Sequence, residues 1–172
     1  LKGDVWFQKK DFGKSIVEYK NAIQKYPEVT PKYPNAFYNS AEAYFWMGEY
    51  KKSLEAYTDY LIRFPSDTHA GYAMTRVGEL LEILGADKSR VVGVYLETYF
   101  RYGDTPGANV AKVRLLSQKM KGMKEKEMLD QIKETKDLVD KSTLPKIQEF
   151  ATVMIAEGYT RRGEYDKSLD LL

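Results

Sequence analysis

The single histidine of the chain, His69, lies in Ser66-Asp67-Thr68-His69, and a serine, an aspartate and a histidine are the side chains of a nucleophilic relay. Closeness in sequence does not assemble one, because the histidine must stand in space between the nucleophile and the carboxylate. Asp or Ser just ahead of a helix is more simply an N-cap, whose oxygen accepts from a first-turn N–H. The 25 acidic residues fall on faces that read as exposed, without the paired, buried setting that tunes a carboxyl group for acid–base work. There is no cysteine for a thiolate nucleophile or metal ligand, no glycine-rich phosphate loop and no metal-ligand spacing. The expectation is no catalytic residue, no cofactor and no metal.

The lysine-rich region from Lys112 to Lys146 is the best phosphate-binding candidate, but Glu125, Glu127, Asp130, Glu134, Asp137 and Asp140 interrupt it. Alternating signs mark a solvated helix. Over the whole chain 27 basic residues face 25 acidic ones, a formal charge of +2, so the charge footprint of a nucleic-acid binder is missing and no such partner is expected. With 43% apolar and 30% charged residues in 172, the composition is that of a globular protein, and no run approaches the ~18 apolar residues of a membrane span. The chain begins at Leu1 and both ends cut through the repeats described next, which is expected of a piece of a longer protein.

The elements that must position any site are read best in the 34 residues from Pro34 to Asp67. Two amphipathic halves meet at Gly48-Glu49, with helices expected over about Asn35 to Met47 and Lys51 to Phe64. Small residues at Ala41 and Ser53 let the two approach, and Phe37, Tyr44, Tyr50 and Tyr57 fill the space between layers. Earlier in the chain, Ser15-x3-Tyr19, Ala22 and Pro27 repeat the second half, with a helix over about Gly13 to Tyr26. Later, Met74-x2-Val77-Gly78-x2-Leu81 and Val91-x3-Tyr95 form a third copy. Its end, Arg101 to Thr105, places Gly103 where Pro65 stands in the second. A fourth copy is poor: one helix over Ala108 to Lys121, a break at Gly122, and a charged helix over Lys124 to Lys141 with a narrow stripe of Met128, Ile132, Thr135 and Val139. A fifth returns with Thr152-x2-Ile155-Ala156-x2-Tyr159, Gly163-Glu164-Tyr165 and Ser168. The breaks at Lys10, Gly48, Gly85, Gly122 and Gly163 are 38, 37, 37 and 41 residues apart, a regularity that survives where residue identities drift.

The spacing Phe37-x2-Ser40-Ala41-x2-Tyr44, Ser53-x3-Tyr57, Pro65 resembles the tetratricopeptide repeat (TPR) family. That resemblance implies an all-α fold of helical hairpins stacked as a right-handed α-solenoid, a single domain over 1–172 with repeats near 1–33, 34–70, 71–107, 108–148 and 149–172. Linkers such as Glu28 to Tyr33, and the phrase Tyr60 to Asp67, resemble a bacterial envelope subgroup that includes the outer-membrane assembly lipoprotein BamD and the periplasmic accessory protein of the Tol-Pal system. It would favour a periplasmic or outer-membrane-associated location, with membrane contact only through a lipid anchor outside this stretch.

By the same resemblance, the first helices of the repeats line a groove that holds a peptide. The groove positions are Asn35, Tyr38, Asn39, Glu42, Phe45 and Trp46 in the second copy, Tyr72, Thr75, Arg76, Glu79, Glu82 and Ile83 in the third, and Phe150, Val153, Met154, Glu157, Thr160 and Arg161 in the fifth. Tyr38, Trp46 and Tyr72 are aromatic anchor candidates. Trp46 reads equally as groove or core, and Phe45 as core. Asp4, Glu42, Glu79 and Glu157 share one repeat position, which would favour a basic ligand. They also read as solvated residues, with Arg76 and Glu79 an i,i+3 pair worth a few tenths of a kcal/mol. Asn39 and Arg76 match two positions of the family's carboxylate clamp, but Asp4 stands where a second asparagine belongs and would repel the carboxylate. The function expected is therefore a non-catalytic scaffold for a basic or aromatic peptide segment or partner subunit, within a bacterial envelope assembly. The alternative is a self-associating scaffold that stacks end to end.

Overall fold

The computed structural model describes residues 2–103, 105–142, 144 and 146–172; Leu1, Asp104, Thr143 and Pro145 of the sequence lie outside them. Among the described residues every regular element is helical. The ten α-helices are α1 (Lys2–Gln8), α2 (Phe12–Lys25), α3 (Pro34–Trp46), α4 (Tyr50–Arg63), α5 (Ala70–Ile83), α6 (Lys88–Arg101), α7 (Pro106–Lys119), α8 (Glu125–Asp140), α9 (Ile147–Arg162) and α10 (Tyr165–Leu169). Short 3₁₀ turns cover Thr30–Lys32 and Met120–Gly122. No described helix is long and apolar enough to cross a membrane.

The chain forms two compact units, Leu1–Val91 and Val92–Leu172, with the boundary inside α6. In the first, α1 packs on α2, α2 on α3, α3 on α4 and α4 on α5. In the second, α9 packs against α7, α8 and α10.

In the hairpins α1–α2, α3–α4 and α9–α10 the helices fold back on each other through one recurring turn. Gly48 (φ 74°), Gly85 (φ 73°) and Gly163 (φ 82°) are left-handed, and Lys10 takes the same conformation at φ 60°. Around Gly48, its own N–H reaches Phe45 O at 3.0 Å and the Glu49 N–H reaches Tyr44 O at 3.0 Å, which satisfies two carbonyls that the helix end leaves open. The same pair of bonds recurs at Lys10 and Asp11, at Gly85 and Ala86, and at Gly163 and Glu164. At the fourth break the 3₁₀ turn ending in Gly122 serves instead. Gly103, read from the sequence as a terminator in place of proline, keeps an ordinary φ, and Thr105 caps the next helix through Ala108 N at 3.3 Å.

A second recurring device explains the small residues. Ser15 Oγ donates to Gly3 O at 3.1 Å, Ser53 Oγ to Ala41 O at 2.9 Å and Ser168 Oγ to Ala156 O at 2.8 Å, each across one hairpin and twelve residues apart. A hydroxyl that bonds the opposing backbone requires a helix surface nearly free of side chain at that point. At Gly3 even a methyl group is excluded, since its Cβ would lie 2.5 Å from the Tyr19 ring.

The two cores differ in chemistry. In the first unit Tyr57 and Tyr60 are fully buried with Ala41, Ala73 and Leu80, and Tyr38 meets both tyrosine rings edge-on at 5.8 and 5.6 Å. In the second, Leu116, Met120, Met128, Ile132, Ile155 and Tyr159 form one cluster and Val113, Val139, Ile147 and Ala151 another. The buried residues of α8 are Met128, Ile132, Thr135 and Val139, the stripe read from its sequence.

Candidate functional site

The first unit joins Glu42, Phe45, Trp46, Arg76 and Glu79 of the residues singled out in the sequence, with Glu42 of α3 at their centre. Its side chain is buried, with only 8% of the residue exposed. The carboxylate accepts from the Tyr57 hydroxyl on α4, from Trp46 Nε1 one turn along α3 at 3.0 Å, and from Arg76 of α5 through Nε at 3.1 Å and Nη2 at 3.4 Å. Arg76 extends the network to Glu79 through Nη1 at 2.5 Å, and its guanidinium lies 4.1 Å from the centre of the Phe45 ring. Burial opposes the charge on Arg76, but the carboxylates of Glu42 and Glu79 outweigh it and raise its pKa. Burial, reinforced by Glu42, pushes the Tyr57 hydroxyl well above its ordinary 10.0. Glu42 is thus a tie between α3, α4 and α5, and its carboxylate is neither open to a ligand nor solvated.

The same arrangement recurs one copy earlier. Asp4 of α1 accepts from the Tyr19 hydroxyl of α2 at 2.6 Å and from Asn39 Nδ2 of α3 at 3.3 Å, and Asn39 also reaches the Tyr19 oxygen at 3.1 Å. In both hairpins the tyrosine stands fifteen residues after the acid, and a further donor comes from the first helix of the next hairpin. Sequence reading missed Tyr19 and Tyr57 as donors; the common offset of fifteen was the signal that could have found them.

Tyr38 is half-buried between α3 and α4, with the His69 ring 5.0 Å from its own. Burial and the Glu42 charge raise its pKa. Tyr72 on α5 is also half-buried, and burial raises its hydroxyl as well. Asp67 accepts from the His69 backbone N–H at 3.0 Å and from the Tyr60 hydroxyl and meets His69 Nδ1 at 3.4 Å, so it ties the entry to α5. Ser66 is absent from this set of hydrogen bonds. No group of three metal-ligating side chains occurs among the described residues.

Trp46 settles between its two readings by geometry: its indole N–H is fixed to Glu42 and its ring meets Phe45 edge-on at 5.5 Å, yet 58% of the residue is exposed. Phe45 is half-buried beneath Arg76. Beside Trp46 at the end of α3 is Met47, 48% exposed, and the matching end of α5 carries Ile83 and Leu84, 45% and 37% exposed. In the first and fifth copies the corresponding residues are Gln8-Lys9 and Arg161-Arg162, so this apolar pairing belongs to the two central hairpins alone.

Glu157, the remaining candidate, lies in the second unit. It accepts from Arg161 Nη2 at 2.6 Å and Ser117 Oγ at 3.2 Å and is only half-buried. Of the lysine-rich region, Lys112 pairs with Glu134, and Glu125 with Lys167 at 3.1 Å.

No protein-family model matches the chain, and a search of curated proteins gives no match either.

Proposed function

We propose that the helical pairs are TPR-like repeats stacked as a right-handed α-solenoid, and that the chain is a non-catalytic scaffold holding a basic, amphipathic segment of a partner protein over Trp46. One observation carries this reading: a tryptophan more than half exposed whose ring is nonetheless fixed, by Glu42 through its N–H and by Phe45 at its edge. An aromatic surface held in one orientation loses little freedom when a partner covers it, which is what makes such residues binding anchors. Met47 next to it in the chain, and Ile83 and Leu84 at the matching end of α5, are further exposed apolar residues. A basic partner is favoured by the charge balance of α3 and α5, which together carry Glu42, Glu79 and Glu82 against Arg76. An envelope setting rests on the resemblance carried by linkers such as Glu28 to Tyr33 and by the phrase Tyr60 to Asp67.

Calorimetric titration with a synthetic Leu/Lys amphipathic helical peptide tests the reading, with a Leu/Glu peptide as control. Saturable binding of the basic peptide, weakened about tenfold or more by Trp46→Ala or Ile83→Ser as for a hot-spot residue, is the expected result. Equal binding of both peptides, or none, would overturn it. Should the basic peptide fail while sedimentation shows a concentration-dependent dimer, end-to-end self-association takes its place.

A further inference from the structure

The second unit holds a half-open cavity of about 180 Å³ that has no part in the Trp46 site. Its walls come from α6, α7 and α8, with Leu96, Phe100, Leu116 and Met123 giving it an apolar surface, and Thr135 lines it beside the polar side chains of Lys112, Lys119, Gln131 and Glu134. Thr135 is 1% exposed, and its Oγ1 has no hydrogen-bond partner. The rest of the molecule shows how unusual that is. Thr58, Thr75, Thr98, Thr152 and Thr160 each sit in a helix and each donate to the carbonyl four residues back, at 2.8–3.1 Å. Thr135 is also in a helix and forgoes that bond. A buried hydroxyl left unpaired carries its desolvation penalty uncompensated, and a ligand accepting or donating one hydrogen bond removes it.

Of the charged groups at the cavity, Lys112 and Glu134 satisfy one another, and Lys119 is exposed to solvent. Glu134 accepts from Lys112 and, at 3.2 Å, from Gln131 Nε2, while the Lys112 ammonium lies 5.3 Å from the centre of the Tyr99 ring. A charged ligand would find no uncompensated partner among these three. Phe100, 78% exposed at the rim, offers an aromatic face to whatever enters. In size, an apolar cavity of about 150 Å³ accommodates a benzene ring, so this one has room for one ring and a small polar substituent.

We infer that this cavity binds a single neutral aromatic ring carrying one hydrogen-bonding group, of the phenol class, with the Thr135 hydroxyl as its polar partner. The ring arrives either as a free phenol or as a tyrosine side chain of a partner peptide; the chemistry is shared.

Amide-resolved NMR titration of the whole chain with p-cresol, with toluene and with a short tyrosine-containing peptide tests this. The expected result is saturable shifts from p-cresol confined to α6, α7 and α8. Toluene binds more weakly, and Thr135→Val reduces p-cresol affinity about tenfold without changing that of toluene, since a site built to bond a hydroxyl discriminates by that bond. Phe100→Ala, at an exposed position that leaves the fold intact, weakens both ligands. A tyrosine peptide that binds at least tenfold tighter than p-cresol identifies the side chain as the ligand, and one that binds no tighter identifies the free phenol. Absence of saturable shifts at the cavity would overturn the inference, as would p-cresol binding equally to the native chain and Thr135→Val.

Discussion

Glu42 and Glu157 occupy the same place in their repeats and are held in different ways. Glu42 is buried and receives three donors on three helices, one of them the hydroxyl of Tyr57 fifteen residues on. Glu157 is half exposed and leans on Arg161 of its own helix and Ser117 of α7. Fifteen residues after Glu157 the chain has Leu172, which carries no donor. Tyr57 thus helps to draw Glu42 into its hairpin, and Glu157 has no such partner on α10. One consequence reaches the candidate site: the network that buries Glu42 also fixes the exposed ring of Trp46, whereas the corresponding residue next to Glu157 is Arg161.

Removing either member of the buried pair should separate the two regions most. Arg76→Ala leaves the Glu42 charge buried without its cation, and urea unfolding should show a loss of about 3 kcal/mol. The matching Arg161→Ala, at a partly exposed pair, should cost under about 1 kcal/mol. Comparable losses at the two sites would break the comparison. Tyr57→Phe deletes only the hydroxyl of a fully buried ring and should cost about 1–2 kcal/mol. Ser117→Ala, the nearest equivalent for Glu157, should have a smaller effect.

Alkaline pH offers a third contrast. The hydroxyls of Tyr19, Tyr38 and Tyr57 are raised above 10.0 in the folded state, by burial first and by Asp4 or Glu42 second. A group whose folded pKa is raised contributes its full stability below the unfolded value and loses it as pH rises through the folded one. Stability should therefore fall from about pH 10 upward, because the unfolded chain gives up protons that the folded one keeps. Ultraviolet titration should show these tyrosines ionising only together with unfolding. A gain rather than a loss is expected at Lys10, a non-glycine residue at φ 60° in the turn that Gly48, Gly85 and Gly163 fill elsewhere. Lys10→Gly should raise stability by about 1 kcal/mol, the usual cost of a left-handed side-chain-bearing residue.

Most helix limits were legible because their causes are local. The sequence expectation for the second copy differs from α3 and α4 by one residue at each end, since Pro34 opens a helix and a left-handed Gly48 closes one through backbone rules that act over a few residues. The core stripe of α8 was legible from periodicity for the same reason. Donors to the acids were not, because periodicity assigns a residue to a face and does not say which side chain from another helix meets it. Glu42 read as either a ligand contact or a solvated residue, and the bonds that exclude both come from Tyr57 and Arg76, fifteen and thirty-four residues away. Trp46 was ambiguous on the same ground: its position borders both faces, and only the bond to Glu42 fixes where the ring points. Thr135 was read as part of an apolar stripe by position, and its unpartnered hydroxyl depends on a rotamer that spacing does not encode.

The claim that a partner settles on a held, exposed tryptophan is tested most directly by emission from Trp46 alone. In a Trp6→Phe background Trp46 is the only tryptophan. Titration with the basic amphipathic peptide should shift its emission to the blue in a saturable way, and adding Glu42→Gln should weaken that affinity while circular dichroism still reports a helical fold. Emission that stays unchanged through a saturating range of peptide would contradict the account.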